Sequence, residues 1–558
     1  MTRFCDILTG LALTAILAMG VASAGAQDTT RTPGNSATKP QELGLIDVTQ
    51  SDLLQKTIKN NWVSYNGDYT GQRYSALNQI TPANASHLAA KWIFHTRNAG
   101  ELEVTPIVVN GVMFITDSND TYALDAQTGQ LLWHHVRAIT SGLVDDASAH
   151  INRGVAVLGT RVYMETDNAH LLCLDARSGD LIWDRAFTTG NKNYGATTAP
   201  IIVKNLVLVG ESGGDDGVRG FLAAYNAQTG KQVWRFWTIP APGEFGSTSW
   251  PENTWKNGCG TTWLPGTYDP ELNSIYWGIG NPCPDYDGSV RPGDDLYTSS
   301  VVALNPDTGK LKWYFQINPH DLYDYDAAQT PVLVDTNFKG RPRKLLVIAN
   351  KNGFLYIIDR TNGKYLFAKQ FDQNENWAKG IDANGRPISN HLIPNAKGIT
   401  VCPGPGGAAN WSSPSYDPET NMFYFRSSEG CSLYQLLPET FIEGQTYYAT
   451  GTRRPLQGQP FRGVYINAFD LSTLNFAWRD QQNGAGFSAA GVMSTAGGLV
   501  AFGNNAQEFE IDAARTGKPL WAFSLGQPMH ASPMSYGING KQYFAVAAGH
   551  DIIAFALP

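Results

Sequence analysis

The chain has no Cys-x-x-Cys-His, no Cys-x-x-Cys and no glycine-rich turn leading from a strand into a helix. These absences exclude, in turn, a covalently attached c-type haem, a paired-cysteine zinc or redox site, and a nicotinamide-dinucleotide cradle. Charge is scarce too: only 16% of the 558 residues are Asp, Glu, Lys or Arg, and the net charge of -8 comes without a basic run or stripe. Such a surface leads us to expect no nucleic-acid partner and no anionic-membrane partner. Beyond the first 26 residues no apolar stretch is long enough to span a bilayer, so no transmembrane segment is expected after signal cleavage.

What is abundant is turn-forming and flat. With 57 Gly, 30 Pro, 15 Trp and 24 Tyr, the composition favours strands and tight turns over helices. The N-terminus carries one Arg, an apolar run from Ile7 to Ala18, and small residues suited to cleavage near Ala24 or Ala26. We read residues 1–26 as a secretory signal peptide, because the run is short and glycine-interrupted for a membrane anchor. Residues 27–42 are Thr/Pro/Ser-rich and read as a disordered leader, and residues 43–558 as the folded domain, placed in the periplasm. Cys173, Cys259, Cys283, Cys402 and Cys431 remain after the signal, an odd count that leaves at least one thiol free.

An internal repeat is the strongest feature. ALDAQTGQLLW ending at Trp133 returns as CLDARSGDLIW (Trp183), AYNAQTGKQVW (Trp234) and ALNPDTGKLKW (Trp313), with weaker copies ending at Phe367, Trp478 and Trp521. Each copy reads as an apolar strand, an Asp-x-x-Thr-Gly turn needing positive φ at the glycine, and a strand starting at the Trp. A period near fifty residues predicts an all-β, eight-bladed β-propeller whose tryptophans pack between blades. Trp92 and the C-terminal strands suggest closure by both chain ends in one blade.

Where the repeat is interrupted, function is expected. Trp183 follows Trp133 by 50 residues, but Trp313 follows Trp234 by 79, and the extra chain holds GCGTTW, GIGNPCP and RPGDDLYTSS. In order along the chain come NRGVAV (from Asn152), TTAP (from Thr197), ESGGDDGVRGFLAAY (from Glu211), GIGNP (from Gly278), PHDLYDYD (from Pro319), NKNGFLYIIDR (from Asn350) and TAGGLVAFG (from Thr495). Together with the repeat, this ordered set resembles the quinoprotein alcohol dehydrogenases, which use pyrroloquinoline quinone (PQQ), here without an appended cytochrome domain.

The resemblance implies a site for a flat tricarboxylate. Trp263 would be its stacking floor, Thr261 a hydrogen-bond partner, and Arg153 and Lys351 its cationic partners. Glu103, Thr198, Ser212, Gly213, Gly214 and Asn410 would be further contacts. Asp215, Asn281 and Asp324 would hold a metal with the cofactor's oxygens, and all-oxygen ligands suit Ca²⁺ or a lanthanide ion. Asp324 would also be the general base, and Asp326, two residues on, a further ligand suited to a trivalent ion. His320 and Asp321 read as loop-shaping residues. The resemblance also implies a disulfide between Cys402 and Cys431.

Three departures stand out. Asp215 replaces the family's usual Glu, so either the backbone offsets the shorter arm or Asp216 takes over. Ala147 and Ser148 stand where relatives commonly carry adjacent cysteines, so that ring disulfide cannot form. Tyr323 takes a position usually held by Trp. Cys259 and Cys283 bracket the site and are placed either to pair or to stay free. The expected activity is oxidation of an alcohol, with polyols, aldehydes or sugars as other substrates, and electrons passing to a separate cytochrome c-type or membrane acceptor. A non-catalytic propeller scaffold of the bacterial envelope is the alternative.

Overall fold

A computed structural model of the chain describes residues 46–97, 100–188, 192–452, 463–484 and 488–558. The signal peptide and leader expected at 1–26 and 27–42 lie outside the described residues. Eight sheets, each built on four antiparallel strands, succeed one another along the sequence. The eighth is closed by both ends: Ala89–His95 pairs with Asp551–Ala556, which continues into Lys541–Ala548 and Met534–Ile538. Eight blades and closure through Trp92 are therefore as the repeat predicts. Helix is confined, among the described residues, to short 3-10 turns and two four-residue α-helices, Gln50–Leu53 and Asp145–Ser148. No helix there is long and apolar enough to cross a membrane.

The repeat's function is inter-blade docking, with one correction to its boundaries. The fourth strand of a blade starts two residues before the tryptophan, as in Leu131–His135 and Leu181–Ala186. In all eight blades the register slips by one residue just before that position. The bulge bends the strand and re-aims the ring. Trp133 then lies on the turn glycine of the next blade, Gly179, where an added Cβ would stand 2.5 Å from the ring and where φ is 76°. Trp133 Nε1 donates to the Ala176 carbonyl at 3.0 Å beside that turn. Trp92, Trp234, Trp313 and Trp478 repeat this donation into the following blade.

Two weak copies show the rule by breaking it. Where Phe367 replaces the tryptophan, the next turn has Leu474 at φ 57° in place of glycine; the smaller ring leaves room for a side chain, and Phe367 stacks on Phe469. Trp521 precedes the closing blade, whose third and fourth strands come from opposite termini, so no hairpin turn meets it; it packs on Phe555 at 5.4 Å. Outside the blades, Ala378–Ile381 with Pro387–Ser389, and Ile399–Val401 with Ser432–Leu436 and Thr450–Thr452, form small sheets.

Candidate active site

The interrupting segments fold against one another. Gly260 N–H donates to the Asn281 carbonyl at 2.8 Å, Gly280 N–H to Thr261 at 2.8 Å, and Cys283 N–H to Gly258 at 3.1 Å. Cys259 and Cys283 close this ladder as a disulfide, Cys402 and Cys431 form a second, and the remaining described cysteine, Cys173, is free and buried. GCGTTW and GIGNPCP are thus one two-stranded platform.

Beside it runs the Pro319 to Asp326 loop. The Asp321 carboxylate accepts from Tyr323 N–H at 3.0 Å and Tyr325 N–H at 2.6 Å, the loop-shaping work expected of it, and burial pushes its pKa up to about 6. His320 and Asp324 sit at φ 50° and 63°. Left-handed backbone costs energy at residues other than glycine, so it persists where surrounding bonds hold it.

Platform and loop wall a cavity of about 360 Å³. On one side Arg153 pairs with Glu103 at 2.5 Å and lies over the Trp263 ring, 5.1 Å from its centroid. On the other, Lys351 Nζ donates to Asp324 Oδ1 and Asp326 Oδ2, both at 2.8 Å. Ser212, Gly213, Gly214, Asp215, Asn281 and Asn410 also line the cavity. Asn281 Nδ2 reaches Asp215 Oδ1 at 3.1 Å, and Asn281 N–H reaches Asp326 Oδ1 at 2.8 Å. Thr198 and Thr261 are fully buried behind this wall; the neighbouring Thr197 lines the cavity. Asp215 faces it and the buried Asp216 does not. Ser148 and Ala149 border it, and Ser212 Oγ donates to the Ala147 carbonyl, tying down the segment that lacks the cysteine pair.

Electrostatics in the cavity are those of a cation site. Burial pushes the Asp324 carboxyl well above its ordinary range; Lys351 opposes the rise, and the nearby Asp326 and Asp215 add to it. Burial also works against the Lys351 charge, but its two carboxylate partners outweigh that and hold the ammonium above its usual pKa. A cation among these carboxylates would return Asp324 to its ionised form.

The residues present fit PQQ and a hard metal. The buried hydroxyl of Thr261, Asn410 Oδ1 and Trp411 Nε1 have no hydrogen-bond partner among the described residues, so donors and acceptors remain for a polar guest. Gly213, at φ 101°, would set a Cβ 2.0 Å from the Asn193 carbonyl, so only glycine fits there. Cationic Arg153 and Lys351 suit carboxylates, and Trp263 suits a planar ring.

Sequence reasoning missed two groups. Trp411, next to Asn410, lines the cavity. Asp285 brings a carboxylate oxygen within 4.8 Å of those of Asp215 and Asp324; its spacing two residues after Cys283 was the available signal. A second, more apolar cavity of about 620 Å³ lies behind the loop, where Tyr323 lines it beside Trp377 and Ile393.

Comparison with known proteins agrees with this geometry. Residues 62–373 and 464–544 match the family described as "PQQ: Glucose/ethanol/alcohol dehydrogenase, beta-propeller domain". The chain is 37% identical over 522 residues to quinohemoprotein alcohol dehydrogenase ADH IIB of Pseudomonas putida, covering 88% of this chain and 74% of that protein. The solved structure of quinohemoprotein alcohol dehydrogenase ADHIIG from Pseudomonas putida HK5 superposes with a TM-score of 0.86 at 31% identity, covering 92% of this chain and 82% of that one. A europium-containing methanol dehydrogenase gives a TM-score of 0.80 at 29% identity, covering 89% and 98%. Fold and site together define a quinone-dependent oxidoreductase acting on CH–OH groups. The chain belongs to the PQQ-dependent alcohol dehydrogenase family.

Proposed function

We propose that this protein oxidises an alcohol in the periplasm at the cavity between Arg153, Trp263 and Lys351. The observation that carries the assignment is the convergence of Asp215, Asn281 and Asp324 on the cavity walled by Trp263 and Arg153. Asp215, Asn281 and Asp324 would hold the metal, and Trp263, Arg153, Glu103 and Asn410 the quinone, with Thr261 and Thr198 supporting from behind. When bound, PQQ supplies an electrophilic carbonyl that accepts hydride.

Asp324, ionised when a metal is bound, would be the base that takes the proton of the substrate hydroxyl as its carbinol hydride goes to the acceptor. Lys351 fixes that carboxylate by its 2.8 Å contact and shares its charge with Asp326. The left-handed backbone at Asp324 aims the side chain without a conformational search. Asp326 adds a carboxylate that suits a trivalent ion, and the europium-containing neighbour supports a lanthanide over calcium. Two disulfides suit an oxidising compartment, and the signal peptide reading agrees. Electrons pass to a separate cytochrome or membrane acceptor.

Purified protein loaded with PQQ and either Ca²⁺ or La³⁺ should reduce an artificial dye when given primary alcohols and show no NAD-linked turnover. Robust NAD-linked oxidation without PQQ would overturn the assignment, and folded protein that neither binds PQQ nor reduces the dye would return the scaffold reading.

A further inference from the structure

We infer that Asp285 is an additional ligand of the metal, held in the site by the Cys259–Cys283 disulfide. The inference rests on the reading of this cavity as a PQQ and metal centre. One carboxylate oxygen each of Asp215, Asp285 and Asp324 lie within 4.8 Å of one another. Hard cations of this size bind oxygen at about 2.4 Å, so ligands on opposite sides of one ion stand up to about 5 Å apart. These spacings are of the size shown by three ligands of one ion. Asp285 is fully buried and does not border the open cavity, so it approaches the ion from the protein side. Lys351 offsets the charge of Asp324 from one side, and a metal ion among the three oxygens would offset that of Asp215 and Asp285 as well.

A separate observation marks the same place. Thr261 Oγ1 is buried with no partner among the described residues. A Cβ on Gly214 would stand 2.8 Å from it and 3.4 Å from Asn281 Oδ1, and one on Gly280 would stand 3.1 Å from it and 2.9 Å from Asp326 Oδ1. The unpartnered hydroxyl therefore lies near Asn281 Oδ1 and Asp326 Oδ1, two of the oxygen donors read above as metal ligands.

Asp285 is placed by two constraints. Cys283, two residues earlier, is tied to Cys259 beside Thr261. The fully buried Arg291 donates to the carbonyls of Pro284 at 3.0 Å, Asp285 at 2.9 Å and Asp321 at 2.7 Å. One guanidinium thus fixes the Asp285 arm against the loop that carries Asp324. The short arm of Asp215 is offset by this extra carboxylate, since Asp216 does not face the cavity.

The test is isothermal titration of La³⁺ and Ca²⁺ into the PQQ-loaded full chain, for wild type, Asp285→Asn and a Cys259→Ser/Cys283→Ser double variant. Asp285→Asn should weaken La³⁺ by about tenfold or more and Ca²⁺ by less, because the higher charge loses more with each anionic ligand. The double variant should shift affinity in the same direction. Melts in EDTA check the fold, and Asp285→Ser is the second variant should the amide melt early. Wild-type La³⁺ affinity in a folded Asp285 variant, with affinity lost in Asp324→Asn, would overturn the inference and leave the metal centre standing. Absence of La³⁺ and Ca²⁺ binding in the folded wild type would overturn both.

Discussion

The rim turns and the Pro319 to Asp326 loop pose the same backbone problem and solve it differently. In the repeat hairpins the left-handed residue is glycine, at φ between 65° and 76° in Gly129, Gly179, Gly230, Gly309, Gly363 and Gly517, and what presses on it is a tryptophan from the preceding blade. In the site loop the left-handed residues are His320 and Asp324, and what surrounds Asp324 is charge. On the rim the geometry serves packing, and any side chain is in the way. In the loop the side chain is the purpose, and the strain is held by Asp321, Asn318 and Asn350, which bond the loop's backbone. The difference separates residues whose loss should unfold the chain from residues whose loss should only silence it.

Substitutions can break that separation. Asp324→Asn keeps the shape but cannot accept the proton, so dye-linked turnover should fall by about 10³-fold while the melting temperature changes little; loss of fold with loss of activity would erase the contrast. Lys351→Met leaves Asp324 and Asp326 opposed and buried without their cation, and should destabilise metal-free protein by about 3 kcal/mol, read by denaturant titration. Gly179→Ala meets Trp133 and an unfavourable φ; it should lower stability by about 2 kcal/mol with kcat unchanged in the folded fraction. Asp326→Ala should lower lanthanide-supported turnover more than calcium-supported turnover, since a trivalent ion loses more with one anionic ligand; equal activities with both ions would make Asp326 a loop residue.

A further effect concerns pH and lies away from the site. Burial, then the neighbouring charges of Glu510 and Asp480, raise the Asp512 pKa from 3.8 to about 8. The folded chain therefore holds a proton that the unfolded chain releases. That contribution is full below about pH 4 and is lost as pH rises toward 8. Wild type should lose melting temperature between pH 5 and 8.5, and Asp512→Asn should flatten that slope.

Much of this was legible from residue order. The repeat exposed blade number, closure and the tryptophans because each copy obeys the same packing rule. The GIGNP and PHDLYDYD segments were legible by resemblance, and the structure brings Asn281 and Asp324 to one cavity. Asp285 was not, because it stands in a non-repeating insertion and meets Asp215 and Asp324 only through how that insertion folds back on the platform, beside a cysteine pairing the sequence left open. Nor could adjacent threonines be told apart: Thr197 meets the cavity while Thr198 turns into the protein. The Phe367 and Leu474 pair was hidden because each is a mismatch to the repeat alone and sensible only against the other across a blade boundary.

The central claim is that this cavity oxidises alcohols through a bound quinone. Its most direct test is anaerobic addition of one equivalent of a primary alcohol to PQQ- and La³⁺-loaded protein without dye or NAD, following quinone absorbance. The account predicts reduction of the bound quinone in wild type, slowed when the carbinol hydrogens are deuterium, and no reduction in Asp324→Asn that retains its quinone. Unchanged absorbance in loaded wild type across a series of alcohols, or equal reduction in Asp324→Asn, would contradict it.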